Sequence, residues 1–491
     1  MPAARPRRRR RSQVTLRFLL FPLLAGLLPA CTVNPATGER QFVLISEYRE
    51  IQIGREADPE IVASLGLHAD NGWQAYVQRL GETMALRSER PDLPWTFRVV
   101  DDPIVNAFAL PGGFIYVTRG ILAHFSSEAE LAGVLGHEIG HVTARHSISQ
   151  MSRAQLAQVG LGVGTILRPD LASVAEAAAT GLGLLFLSYG RDDEREADDL
   201  GLRYMTREGY DPAAMAETFE MLADASGARE GTGRVPAFLS THPDPLERRD
   251  RITARIGAGE VSGERIGRED YLERLDGMPF GADPRLGYFE GSTFFHPDGA
   301  FRAIFPSGWE VNNGAAAVQA ASPDGDAVVS LTGEEGASPD TALEALLDDL
   351  GSAGSNRSRA PINGLDAARA DFVARTEEGI LTGAAAFVRH RDRLYGLLGY
   401  GSQAGWARHA DAIRVTLLSF GPVSDPAVLN RRPDRIGLVR VPDEMTLEGF
   451  HERYPSAVPI GTIATINHLE SGERIPAGTL MKRVVAGAAA P

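Results

Sequence analysis

The sequence predicts an α+β chain in which a mostly helical unit comes first and a strand-rich unit follows. Three observations carry that expectation. Segments between Ser46 and Ala223 repeat apolar residues at helical spacing. From Phe301 to Phe420, short runs alternate apolar and polar residues. Between them, near Arg285 to Gly291, the composition changes.

Ser46 to Ala57 sets Tyr48, Ile51 and Ile53 among charged residues, as an amphipathic helix does. A second such helix is expected over Trp73 to Ala85. Thr96 to Val100 reads as a strand, and Phe114 to Thr118 as another, launched from the turn Pro111-Gly112-Gly113. The next helix has a marked start. Ser127 and Glu130 have capping-box spacing, so each can satisfy an orphan backbone donor. Leu131, Val134, Leu135 and Val142 mark its buried side, and it should run to about His146.

Leu156 to Tyr189 is rich in Ala, Gly and Leu, but Arg168-Pro169-Asp170 breaks it and Glu176 interrupts it. Neither half offers ~20 uninterrupted apolar residues, so it is not read as a membrane span. A helical hairpin near the site is expected, with a membrane-leaning lid as the sharper alternative. Helices at Glu194 to Arg207 and Pro212 to Ala223, then a Gly-rich loop from Gly227 to Gly233, continue the first unit. In the second unit, helices at Thr341 to Leu350 and Trp406 to Leu418 accompany a mostly antiparallel sheet. Gly421 to Pro433 reads as a linker to a last small unit, Ile436 to Val485, and the Ala-rich tail reads as disordered.

The chain has 491 residues, enough for two or three domains, and its 43% hydrophobic content can supply their cores. Seven arginines lie in the first 17 residues, and without them the formal charge of -14 becomes -21. An acidic body argues against nucleic acid as the main partner and against a polybasic membrane-docking face. The basic start, the apolar run Val14 to Leu28 and then Leu28-Pro29-Ala30-Cys31 have the layout of an export signal. They resemble a bacterial lipoprotein signal, in which the Cys becomes the lipidated N-terminus. An ordinary secretory signal with a chance Cys is the alternative. Cys31 is the only Cys, which excludes an intramolecular disulfide framework. Thr32 after it implies the outer membrane. Thr32 to Arg40 reads as a polar tether.

The chemistry centres on His137-Glu138-Ile139-Gly140-His141. Residues four apart share a helix face, so both imidazoles can reach one ion, and zinc accepts imidazole nitrogen. Glu138 lies beside the first ligand without being one, placed to take a proton from a zinc-bound water as it attacks a peptide carbonyl. A third ligand is needed, and Glu194-Arg195-Glu196-Ala197-Asp198 offers it. Glu194 and Asp198 share a face, so one can bind metal while the other accepts the free N–H of a ligand histidine. From spacing alone Glu196 competes with Glu194.

The two motifs together resemble the zinc metallopeptidase family of the CAAX prenyl endopeptidase, HtpX and the periplasmic BepA-type proteases. The match covers roughly Ser46 to Ile252. The resemblance implies a zincin-like domain with one zinc, Glu194 as third ligand and Asp198 supporting a ligand histidine. Asn106-Ala107-Phe108-Ala109 resembles the family's edge strand beside the cleft, where an extended substrate backbone can pair. Read without the family, Asn106 is a turn residue. His242-Pro243-Asp244-Pro245-Leu246-Glu247-Arg248 resembles the family's H-P segment. It implies active-site roles for His242 and Arg248, either stabilising the oxyanion or, for His242, latching the fourth zinc position. His124 and His146 lack motif support and read as surface or helix-terminal residues. Tyr189 and Arg191 read as packing residues that could line the cleft. The membrane-embedded relatives have several spans that are not seen here, so the periplasmic branch fits better, although its helical repeats are absent too.

Phe301 to Phe420 has a strand-and-helix order similar to photosystem-P-type or Mog-type sandwiches. Met445 to Val484 resembles a LysM module, which implies peptidoglycan binding; a unit that only packs on its neighbours is the alternative. Glu444-Met445 replaces that family's usual Gly-Asp. The expected layout is a signal peptide at 1–30, a metallopeptidase domain at 31–285, a sandwich-like unit at 292–421 and a LysM-like unit at 434–486. The expected protein is a zinc endopeptidase of misfolded or unassembled envelope proteins, anchored to the membrane through Cys31. A latent assembly or chaperone factor and a peptidoglycan-binding scaffold are the alternatives.

Overall fold

Short strands and capped helices assemble the first unit around the motif helix. The computed structural model describes residues 31–161, 189–225, 237–314, 317–334, 338–376, 379–470 and 472–487. The expected signal segment, most of the Leu156 to Tyr189 hairpin, the Gly227 to Gly233 loop and the end of the Ala-rich tail lie outside the described residues. Among the described residues, no helix is long and apolar enough to cross a membrane.

The stretch expected to be a tether is an ordered hairpin. Strand β1 (Cys31–Val33) pairs antiparallel with β2 (Arg40–Phe42). Helix α1 (Glu47–Leu65) starts on Ser46, which caps the N–H of Arg49, and runs past the expected end and past Pro59. Helix α2 (Asn71–Ala85) follows, capped by Asp70. Strands β3 (Thr96–Val100), β4 (Ala107–Leu110) and β5 (Phe114–Thr118) form a three-stranded sheet in the order β3-β5-β4. β3 runs parallel and β4 antiparallel to β5, which leaves β4 at an edge. One face of this sheet packs Phe108, Leu110, Phe114 and Tyr116 against Ala57 and Ile61 of α1. The other packs Phe97, Val99, Ala109, Ile115 and Val117 into the main core, with Val77 and Leu80 of α2. This alternation is the two-residue strand period at work.

Helix α3 (Arg119–His124) leads to α4 (Glu128–Thr143), which carries the motif. Ser127 Oγ accepts from Glu130 N, and the Glu130 carboxylate accepts from Ser126 N at 3.1 Å and Ser127 Oγ at 2.9 Å. α4 stops at Thr143, short of the expected His146. Arg145 takes a left-handed backbone (φ 60), and α5 (His146–Leu161) starts directly after it. The cause is long-range: Arg145 Nε donates to Glu50 of α1 at 2.8 Å, and Arg90 shares that buried carboxylate at 2.6 Å. Helices α6 (Arg191–Arg207), α7 (Ala213–Ala225), α8 (Ala237–Thr241), α9 (Pro245–Gly257) and α10 (Arg268–Leu275) follow.

The second unit holds two antiparallel sheets. Strands β6 (Tyr288–Glu290), β7 (Thr293–His296) and β8 (Phe301–Ile304) join the later β16 (Gly421–Pro422) in one. The larger sheet has seven strands: β9 (Glu310–Asn313), β10 (Ala317–Ala321), β11 (Ala327–Glu334), β12 (Ser355–Ser358), β13 (Ala367–Thr376), β14 (Gly379–His390) and β15 (Arg393–Ser402). Their order is β12-β13-β14-β15-β11-β10-β9. Helix α11 (Pro339–Asp349) packs Leu343 and Leu347 on one face, against Ala385 and Phe387. Helix α12 (Gln403–Ser419) packs Ile413 and Leu417 on the other, against Ala384, Ala386 and Val388. The expected linker contains β16 and a short helix, α13 (Pro426–Leu429).

In the last unit β17 (Arg435–Arg440) pairs antiparallel with β20 (Leu480–Val485). Between them lie β18 (Met445–Thr446), α14 (Leu447–Arg453), α15 (Ile460–Asn467) and β19 (Arg474–Ile475). Its apolar residues Ile436, Phe450, Ile463, Met481 and Val484 belong to the same continuous core as Trp73 and Leu131 of the first unit. Lys482, the only lysine, is fully buried and donates to the carbonyls of Phe125 at 2.6 Å and of Ala123 and His124 at 3.3 Å. It thereby caps the C-terminal end of α3.

Candidate active site

The site forms where α4 and α6 touch backbone to backbone. A Cβ added at Gly136 would stand 3.0 Å from Gly201 O, and one at Gly140 2.9 Å from Ala197 O. Only small residues permit that approach. It sets Glu194 and Asp198 of α6 directly against His137 and His141 of α4, and all four are buried.

Four side chains converge: His137, His141, Glu194 and His242 each bring one ligand-type atom within 4.8 Å of the others. His137 Nε2 is 3.0 Å from His141 Nε2 and 3.6 Å from Glu194 Oε2. His141 Nε2 is 3.5 Å from Glu194 Oε1. His242, which follows α8, brings Nδ1 to 2.9 Å from Glu194 Oε1 and 3.3 Å from His137 Nε2. Ligand atoms at about 2.0–2.1 Å around a tetrahedral ion stand ~3.3 Å apart. The observed spacings straddle that value. Both oxygens of Glu138 are buried without a hydrogen-bond partner. Lone pairs left unspent in a dry site, on a set of imidazoles and a carboxylate, fit a metal ion.

The charges behind the cluster keep its carboxylates ionised and His137 and His141 neutral, while Glu194 raises His242. Asp198 Oδ1 lies 3.0 Å from His137 Nδ1. Arg248 of α9 grips Asp198 with Nη2 at 2.6 Å and Nε at 2.9 Å, and places Nη1 2.9 Å from Glu194 Oε2. Its guanidinium lies over the Phe219 ring, 4.0 Å from the centroid. Burial alone would raise the Asp198 and Glu194 carboxyls. His242 and Arg248 outweigh it at Glu194, and Arg248 outweighs it at Asp198, so both are held down. Burial, helped by Arg248, pushes His137 down to about 4, and burial also holds His141 well below the usual imidazole range. Both histidines are therefore neutral, as ligands must be. Burial pushes Glu138 up to about 7.

The other singled-out residues fall around this cluster or away from it. His146 opens α5, as the helix-terminal reading has it, but is 3% exposed and sits beside His141. Glu196, the spacing-based competitor for the third position, points away from the cluster and accepts from Asn34 Nδ2 at 2.6 Å. Tyr189 is buried and stacks on the His141 ring, 3.9 Å between centroids. Arg191 pairs with Asp244 at 2.8 Å. His124 ends α3, with Nδ1 2.7 Å from Gly120 O. Arg248, expected to face a substrate oxygen, is buried and committed to two carboxylates. Asn106 precedes the edge strand, its N–H on Thr118 Oγ1, and its buried side-chain oxygen has no partner. Ala107 and Phe108 on β4 are buried.

A helix presenting two imidazoles four residues apart, a carboxylate between them and an acid from a second helix is the equipment of a metal-dependent peptidase. Comparison with known proteins gives the particular family. The model of peptidase family M48 matches residues 72–256. The mitochondrial metalloendopeptidase OMA1 of Schizosaccharomyces pombe is 33% identical over 47% of this chain and 68% of its own length. The beta-barrel assembly-enhancing protease of Yersinia pestis is 32% identical over 52% of this chain and 54% of its own. Metalloprotease YcaL of Escherichia coli is 31% identical over 42% of this chain and 82% of its own. The chain belongs to peptidase family M48 and is a metallopeptidase. Among solved structures, cyanobacterial PsbP of Synechocystis aligns over 28% of this chain and 95% of its own at 12% identity, with a TM-score of 0.22, too low to speak for the fold.

Proposed function

We propose that the protein is a zinc-dependent endopeptidase of misfolded or unassembled envelope proteins, kept silent at rest by His242. The observation that carries the latch is the position of His242 Nδ1 among the ligand atoms, 2.9 Å from Glu194. His137, His141 and Glu194 would hold the ion. Bound zinc supplies a Lewis acid that acidifies water and polarises a carbonyl. Glu138, with its unpaired oxygens, takes the proton of the attacking water and returns it to the leaving amine. Asp198 fixes the tautomer of His137. Arg248 holds Asp198 and Glu194 in place from behind, a positioning role and not an oxyanion contact. β4, an edge strand among the described residues, would pair through Asn106, Ala107 and Phe108 with an extended substrate backbone.

The envelope setting is supported by the relatives named beta-barrel assembly-enhancing protease and by the lipoprotein-like segment ending at Cys31; the name of the mitochondrial relatives points elsewhere. We assign 31–285 to a zincin-like domain, 292–421 to a sandwich-like unit and 434–486 to a LysM-like unit. The shared core favours a packing role for the last, and co-sedimentation with purified sacculi tests glycan binding.

Full-length wild type should cleave an unfolded casein-like substrate slowly and stop with chelator. His242→Ala should cleave faster. A large loss in that variant would make His242 an oxyanion donor instead. No cleavage by either, with zinc bound, would favour the latent assembly or chaperone factor.

A further inference from the structure

His137 and His141 are supported differently. His137 has Asp198 against its Nδ1. His141 has no carboxylate there; its Nδ1 lies 2.9 Å from the Nδ1 of His146. We propose that His146 and Glu196 form a hydrogen-bonded relay that orients His141 for metal binding and is anchored on Asn34 of the N-terminal hairpin.

The proton positions follow from one requirement. His141 turns Nε2 toward Glu194 and His137, so a ligating His141 carries its only ring proton on Nδ1. That N–H donates to His146, whose Nδ1 must accept. With Nδ1 accepting, the donating ring nitrogen of His146 is Nε2, which is 3.3 Å from Glu196 Oε2 and 3.9 Å from Asp193 Oδ1. Glu196 uses its other oxygen, Oε1, to accept from Asn34 Nδ2 at 2.6 Å. The Asn34 amide is itself oriented, because its Oδ1 accepts from Ala36 N at 2.9 Å. Thr37 adds a further hydrogen bond to Glu196, and the direction is fixed from Asn34 inward and from His141 outward. Both meet at the Glu196 carboxylate, which needs two accepting oxygens to serve them.

The fold builds this relay deliberately far from local sequence logic. On a continuous helix, a residue five positions on lies about 140° around the axis. The left-handed Arg145 breaks the helix and swings His146 back beside His141. Asn34 is 4% exposed, held by the turn that joins β1 and β2. Seating of the hairpin is thus coupled to the orientation of a metal ligand.

The relay rests on His141 being a ligand, so the test includes that residue. Zinc affinity is measured on the full chain by competition with a chromogenic chelator, and the absorption spectrum of the Co²⁺-loaded protein reports ligand geometry. His146→Leu should weaken zinc binding about 10–100-fold and shift the cobalt bands. His146→Asn, whose side-chain oxygen can accept from His141, should recover most of both. Glu196→Gln has only one accepting oxygen and should weaken binding less, as should Asn34→Ala. Unchanged affinity and cobalt spectrum in His146→Leu and Glu196→Gln would overturn the relay. So would equal losses in His146→Leu and His146→Asn, which mean packing alone. Should His146→Leu fail to fold by circular dichroism, Glu196→Gln and Asn34→Ala decide. If His141→Ala binds zinc like wild type, the ligand assignment falls and the relay with it. If His141→Ala loses zinc while the relay variants do not, only the relay falls.

Discussion

Helix α4 carries two clusters of carboxylates and imidazoles, about two turns apart. One is His137, His141, Glu194 and His242; the other is Glu130, Glu217 and His468. In both, ligand-type atoms lie within 4.8 Å of one another. They differ in how their lone pairs are spent. At the first, Glu138 keeps two buried oxygens without hydrogen-bond partners. At the second, the Glu130 carboxylate accepts from Ser126 N and Ser127 Oγ, and His468 Nε2 faces His124 O at 3.0 Å. Buried Lys482 acts there too: burial lowers its ammonium and raises the Glu130 carboxyl, and the field of each opposes the other's shift. Proximity of acids and histidines is therefore weak evidence for a metal. Hydrogen-bond accounting separates a site where both Glu138 oxygens stay unspent, even with Arg248 beside Glu194, from one whose buried carboxylate is already hydrogen-bonded.

The comparison can be broken from either side. The largest expected effect is at the first cluster. Glu138→Gln should lower kcat about 10²–10⁴-fold while zinc content by elemental analysis stays at the wild-type value. At the second, Lys482→Met should cost about 1–3 kcal/mol in denaturant unfolding, because the carbonyls of Ala123, His124 and Phe125 lose their buried donor and Glu130 loses a nearby opposing field. Lys482→Met combined with Glu130→Gln should recover part of that loss. A smaller effect concerns acid. Burial holds His124 near 4 and His468 near 3, whereas the unfolded residues titrate near ~6.5. Below about 6.5 the unfolded chain binds more protons, so these residues lower stability as pH falls toward 4 and leave it flat above 7. Thermal unfolding at pH 7.5 and 5 checks the sign, and His468→Gln should narrow the gap. The smallest effect sharpens the contrast by being absent: His468→Ala should leave one zinc per chain.

Local patterns made much of this legible. The strands Thr96–Val100 and Phe114–Thr118 have the expected ends, because period-two alternation and a Gly-rich turn are local signals. The convergence of His137 and His141 with Glu194 followed from helix geometry plus a family motif. What local pattern could not reach is set by distant partners. The break after α4 depends on Arg145 meeting Glu50, 95 residues earlier. The hairpin at Asn34 depends on Glu196, 162 residues later. The attachment of the last unit depends on Lys482 finding carbonyls more than 350 residues away. Each is a polar contact whose sequence neighbourhood looks like ordinary surface, so hydrophobic periodicity gives no sign of it.

The identity of the resting ligands tests the reading of the first cluster most directly. X-ray absorption at the zinc edge, on full-length wild type and His242→Ala, should show three imidazoles and one carboxylate in the wild type. The variant should lose one imidazole and gain a light oxygen ligand. Identical spectra, with two imidazoles in both, would contradict a latch at His242; a spectrum without imidazole would contradict the site itself.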